Sequence, residues 1–227
     1  VEINNLLQHY QNGEYEDAEK LALATTQRFP EYQLAYKVLS SILLKAGRTN
    51  KALVASQRSV HLAPKDAQAH SNLGNTLQAL GKVEEAEESY REAIALNPSY
   101  TETYYNLGFT LKALDRLEEA EARFRQAIAL RPDYALAHFQ MALVLYINGD
   151  IDSGLESLKK AYNIDPKSQD FRTALAILKS RKYNEKIGVR VGELSNLVNF
   201  AVPIPNQLIL NRAVEAELID KLYEMNS

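Results

Sequence analysis

Residues 67–100 read AQAHSNLGNTLQALGKVEEAEESYREAIALNPSY, and residues 101–134 read TETYYNLGFTLKALDRLEEAEARFRQAIALRPDY. The second line is the first moved by one period of 34 residues. Asn72-Leu73-Gly74 returns as Asn106-Leu107-Gly108, Glu84-Glu85-Ala86-Glu87 as Glu118-Glu119-Ala120-Glu121, and Ala93-Ile94-Ala95-Leu96 as Ala127-Ile128-Ala129-Leu130. Pro30, Pro64, Pro98, Pro132 and Pro166 keep the same interval; only Pro203 and Pro205 stand outside it. Proline lacks an amide hydrogen and clashes with the preceding turn, so these five mark regularly spaced helix ends. A fixed period of this size is the signature of a stacked-repeat architecture.

One unit gives the local structure. Leu73, Leu77 and Leu80, with His70 on the same side, recur at helical spacing. Gly81 follows at the position where a left-handed residue closes a helix. Glu84 and Glu85 then open a second helix at its positive end. Its buried stripe is Ala86, Tyr90, Ala93 and Ile94, and Asn97-Pro98 closes it. Each unit is therefore a pair of antiparallel helices. Gly74 and Gly108 on the first helix, with Ala86 and Ala120 on the second, are the small residues that a close crossing requires. Tyr90 and Phe124 are read as filling space towards the next unit.

This pattern resembles the tetratricopeptide repeat family. The resemblance is carried by Leu73-Gly74, Ala86, Tyr90, Ala93 and Pro98, and by Leu107-Gly108, Ala120, Phe124, Ala127 and Pro132. The aromatic position near the start of the first helix holds Tyr36, His70, Tyr104 and His138 in successive units. The expected fold is an all-α, right-handed α-solenoid of helix-turn-helix repeats. Five repeats are expected, at 1–32, 33–66, 67–100, 101–134 and 135–168. A capping helix follows at 169–182, with Phe171, Leu175 and Leu178 on one face. The outer units depart from the pattern. Ser40, Ser56 and Ser59 stand where glycine, an aromatic and alanine are expected, and Gly154 replaces the crossing alanine. Residues 183–227 form an irregular C-terminal extension, with Pro203-Ile204-Pro205 extended and a helix over Arg212–Met225. It either folds back on the solenoid or begins a further domain.

Composition excludes several classes. The chain of 227 residues has a formal charge of −3 and 46% apolar residues, with Lys and Arg dispersed among Glu. A nucleic-acid binder would show a basic face. No apolar run is long enough to span a bilayer. The absence of cysteine excludes disulfides and thiolate metal sites and fits a reducing compartment, so the cytoplasm is the expected location. His9, His61, His70 and His138 form no ligand cluster; His70 and His138 are read as packing aromatics two periods apart. No nucleophile elbow, phosphate loop or paired acid–base motif is present. The Glu84–Glu88 run reads as a solvated helix face. No catalytic residue, cofactor or metal is expected.

What remains is surface recognition. The resemblance implies that first helices line a concave groove. Its lining would run from Lys37 and Ser41, through Asn75 and Gln78, to Tyr105, Phe109 and Lys112, and then to Phe139, Leu143 and Tyr146. A second row, Asn72, Asn106 and Gln140, places one carboxamide per unit. It looks like the asparagine ladder of the O-linked N-acetylglucosamine transferase repeats, which would hold an extended peptide by its backbone. The alternative is that these amides bond within their own unit or to water. Binding of an acidic chaperone tail is disfavoured, because Glu102 stands where that mode requires lysine. The apolar end (Tyr105, Phe109, Phe139, Leu143, Tyr146) is either a docking patch or is covered by residues 183–227. The resulting expectation is a non-catalytic scaffold that binds a peptide or protein segment, with self-association possible. The alternative is the repeat region of a larger enzyme, of glycosyltransferase, sulfotransferase or 2-oxoglutarate/iron oxygenase type, with its chemistry beyond Ser227.

Overall fold

The structure, a computed structural model, describes residues 2–186, all within one compact unit spanning Val1–Val191. The readings placed on 187–227, including the extended Pro203–Pro205 stretch, the helix over 212–225 and any fold-back, lie outside the described residues. Among the described residues eleven helices follow one another: α1 (Glu2–Asn12), α2 (Tyr15–Arg28), α3 (Gln33–Lys45), α4 (Thr49–Leu62), α5 (Ala67–Ala79), α6 (Val83–Leu96), α7 (Thr101–Ala113), α8 (Leu117–Leu130), α9 (Ala135–Ile147), α10 (Ile151–Ile164) and α11 (Gln169–Lys186). There is no strand among the described residues. Each helix packs on the next in sequence, and first helices also touch first helices one unit on, so the array is an all-α solenoid. The last helix runs four residues past the 182 expected from sequence.

Two turns are cut to one pattern throughout. Inside a unit, Gly81 adopts φ +74°. The Lys82 N–H donates to the Leu77 carbonyl at 2.9 Å and the Gly81 N–H to the Gln78 carbonyl at 3.0 Å. This is a Schellman closure. The bond corresponding to Lys82–Leu77 recurs at Glu14–His9, Arg48–Leu43, Arg116–Leu111 and Asp150–Leu145. Asp115 occupies the same left-handed place in the fourth unit, at φ 59°. Between units the residue before each periodic proline is extended, as with Asn97 at φ −141°, ψ 92°. The proline ring excludes the helical region for its predecessor.

The helix crossing is set by size matching. A Cβ on Gly74 would stand 2.6 Å from Tyr90 Cε1, and one on Gly108 would stand 2.8 Å from Phe124 Cε1. The large rings therefore pack against the glycines of their own unit. They also share a core cluster with Leu107, Leu111 and Val144, so they fill space towards the next unit as well. The paired positions in the other units are Leu6 with Ala22, Ser40 with Ser56, and Ala142 with Leu158. Where the second helix brings a large residue, the first brings a small one, and the reverse. The Ser40–Ser56 pair in residues 33–66, small on both helices, is the exception. Gly154 also has a reason: a Cβ there would stand 3.1 Å from the Ala142 carbonyl oxygen, a tight contact that glycine avoids. Ala18, Ala52, Ala86 and Ala120 at the same place are fully buried.

Candidate functional site

The wall built by the first helices carries a chain of side-chain bonds that runs from unit to unit. The Asn72 Nδ2–H donates to Ser41 Oγ at 3.2 Å, and the Asn106 Nδ2–H donates to Asn75 Oδ1 at 2.8 Å. The two contacts share one register, 31 residues back in each case. Beneath them, the Thr103 hydroxyl donates to Ser71 Oγ at 3.1 Å in a buried contact. Asn75 is held from its own unit as well, because the Tyr90 hydroxyl lies 2.7 Å from Asn75 Oδ1 and 2.9 Å from Gln78 Oε1. Its single proton serves either oxygen. Burial pushes the Tyr90 phenol well above its ordinary pKa, so it remains a donor. The amides therefore bond across units, which neither sequence reading of the row had specified. The carboxamide oxygens of Asn72 and Asn106 have no donor among the described residues.

Gln140 continues the row by position but not in setting. It is 1% exposed. Its Oε1 accepts from Lys112 Nζ at 2.5 Å. Where the second and third units have Ser41 and Asn75 to receive the amide, the fourth has Phe109, and the amide is buried instead. The open-groove reading of Gln140, Phe139 and Leu143 is thereby corrected. Phe139 and Leu143 are also buried, and the Phe139 ring packs 5.1 Å from Phe171 of the capping helix. Sequence register could not show that α11 closes over this end.

Tyr105, Phe109 and Tyr146 remain half-buried on the wall, as do Asn72, Asn75 and Asn106. Tyr105 is seated by Phe124 at 5.9 Å and Tyr134 at 5.2 Å between ring centroids. Burial pushes the Tyr134 phenol up to about 12, with Glu102 adding to the effect. Lys112 lies 5.1 Å from the centre of the Phe109 ring. Burial lowers its pKa to about 8, and no carboxylate among the described residues pairs with it.

Lys37 is occupied differently from its assigned role. Its Nζ pairs with Asp66 Oδ2 at 2.8 Å, and Gln33 Nε2 donates to the same oxygen at 2.9 Å. The other oxygen, Oδ1, caps α5 by accepting from the N–H groups of Gln68 and Ala69. Burial disfavours the Asp66 charge, but Lys37 and the two amides outweigh it, and the carboxyl stays below the usual range. Asp66 was legible as an N-cap residue just ahead of a helix, yet sequence reasoning did not single it out. Nearby, Ser41 receives Asn72, and Glu102 pairs with Arg131.

Two minor readings also change. Glu87 is more than solvated surface: it bonds Arg116 at 2.7 Å and Arg91 at 2.8 Å, and both arginines reach Glu119 of the next unit. His70 and His138 pack as expected, and each also donates its Nε2–H to a proline carbonyl, Pro64 and Pro132, at 2.9 Å. This fixes the tautomer and ties the start of the first helix to the preceding turn.

These features define a class of protein: an interaction scaffold of stacked helical hairpins. Tetratricopeptide-repeat models match residues 7–67, 74–115, 110–149 and 135–168, and the chain belongs to the tetratricopeptide repeat family. Among solved structures, it is similar to TTC0263, a thermophilic TPR protein of Thermus thermophilus. The identity is 26% over 78% of this chain and 98% of that one, with a TM-score of 0.65. PilF of Pseudomonas aeruginosa shares the fold at 17% identity over 82% and 84% of the chains, with a TM-score of 0.72. YrrB, described as a TPR protein with an unusual peptide-binding site, shares it at 20% identity over 76% and 89%, with a TM-score of 0.62. No curated protein matches the chain. Among the described residues, no helix is long and apolar enough to cross a membrane, and no group of three or more His, Asp or Glu side chains could hold a metal.

Proposed function

We propose that the first-helix wall binds an extended polypeptide segment and that the chain acts as a non-catalytic scaffold. The observation that carries this is the row of Asn72 and Asn106. Each spends an amide hydrogen on the neighbouring unit, which fixes the side chain, and each keeps an unused carbonyl oxygen on a half-exposed surface. Backbone N–H groups of an extended chain are the natural donors to such oxygens. Ordering the acceptors beforehand lowers the entropic cost of binding. Tyr105, Phe109 and Tyr146 supply half-exposed aromatic area on the same wall. The description of YrrB as carrying a peptide-binding site supports the reading by analogy of fold.

The test is selection of a random twelve-residue display library on the purified protein. Affinities of selected peptides are then measured by fluorescence anisotropy against the wild type and an Asn72→Ala/Asn106→Ala variant. Loss of two neutral hydrogen bonds predicts binding about tenfold weaker for peptides of unrelated sequence. Equal affinities, in a variant whose circular dichroism is unchanged, remove the ladder role. A library that yields no binder removes the peptide-binding reading altogether.

A further inference from the structure

Lys112 stands apart from the other half-buried lysine of the wall. Lys37 is neutralised by Asp66 at 2.8 Å. Among the described residues, Lys112 has only uncharged neighbours: the Gln140 oxygen at 2.5 Å and the face of Phe109 at 5.1 Å. A half-buried ammonium with no counter-ion is costly to keep, because desolvation disfavours the charge and a neutral dipole repays only part of that. The shift of its pKa to about 8 expresses the same cost. Here the ammonium is nevertheless held in place from two sides. Gln140, itself 1% exposed, holds the lysine from the buried side.

We infer that Lys112 is an anion subsite of the peptide-binding wall, and that the segment bound there carries an acidic side chain next to an apolar one. This rests on the peptide-binding reading above and names the chemistry of its partner. The carboxylate would accept from the Lys112 Nζ, supplying the charge that the fold leaves out. The adjoining apolar side chain would lie on Phe109 and Tyr105, which flank the ammonium on α7. Charge complementarity selects the occupant: an uncharged segment leaves the ammonium uncompensated, and a basic one adds a second cation. The subsite is separate from Lys37, already engaged by Asp66, and from Glu102, already engaged by Arg131.

The same display library tests this, selected in parallel on the wild type and on Lys112→Met, which keeps the apolar stem and removes the charge. The expected result is enrichment of Asp or Glu at one fixed offset from an apolar residue on the wild type. On Lys112→Met the acidic preference disappears while the apolar preference stays. For one such peptide, replacing its Glu by Gln should weaken binding to the wild type roughly tenfold or more, and should leave binding to Lys112→Met unchanged. Lys112→Arg should restore part of the difference. Binders without acidic preference on the wild type would overturn the subsite and leave the peptide-binding wall intact. An acidic preference that survives in Lys112→Met would overturn it equally. Absence of any binder would count against the wall itself.

Discussion

Asp66 shows how much one side chain can carry. It caps α5, pairs with Lys37 and receives Gln33, so it fastens the second unit to the third. Replacing Asp66 with Ala should lower stability by about 1–2 kcal/mol at neutral pH, chiefly through the lost cap. Because its folded pKa lies below the ordinary value of 3.8, the folded state favours the charged form. The stabilisation is complete above the unfolded pKa and is lost as pH falls through the folded one. Thermal melts should therefore separate wild type and variant at pH 7 and bring them together at the acid end, below the ordinary carboxylate range. A gap of constant size across that range would contradict the role of the charge.

At the scale of helices, four of the five units set a small residue on one helix against a large one on the other. Gly108 and Phe124 form one such pair, and Ala142 with Leu158 occupies the same places one unit on. Gly108→Ala puts a methyl within 2.8 Å of the Phe124 ring and should cost about 1–3 kcal/mol. Phe124→Leu should cost a comparable amount by leaving a cavity. The double variant Gly108→Ala/Phe124→Leu recreates the next unit's solution, so its loss should fall short of the sum by at least about 0.5 kcal/mol. Urea denaturation of the four proteins reads this coupling directly. Strict additivity would show that the two positions do not share the space.

For the array as a whole, each helix contacts its sequence neighbours and first helices meet one unit apart, so stability is a sum over units and interfaces. Removing residues 67–100 deletes one complete period and joins Asp66 to Thr101, which leaves every later residue in phase. We expect a shortened protein that stays folded, with the mean helical ellipticity per residue preserved and a melting temperature lowered but still cooperative. A molten circular dichroism spectrum would mean that the third unit contributes something its neighbours cannot replace. The wall would also lose Asn72 and the Asn75 acceptor for Asn106, so its peptide affinity should fall with its length.

The period, the helix pairs, the turns and the face turned to the wall were all legible in the residues, because proline, glycine and apolar spacing act locally. Lys37 and Lys112 looked alike at that level, and so did Asn106 and Gln140. Their difference is set by what stands a full unit away: Asp66 against one lysine and a neutral amide against the other, Asn75 beneath one carboxamide and Phe109 beneath the next. Tertiary packing alone decided those pairings, along with the burial of Phe139 by Phe171, because charge compensation and solvent exclusion depend on neighbours about thirty residues distant in the chain.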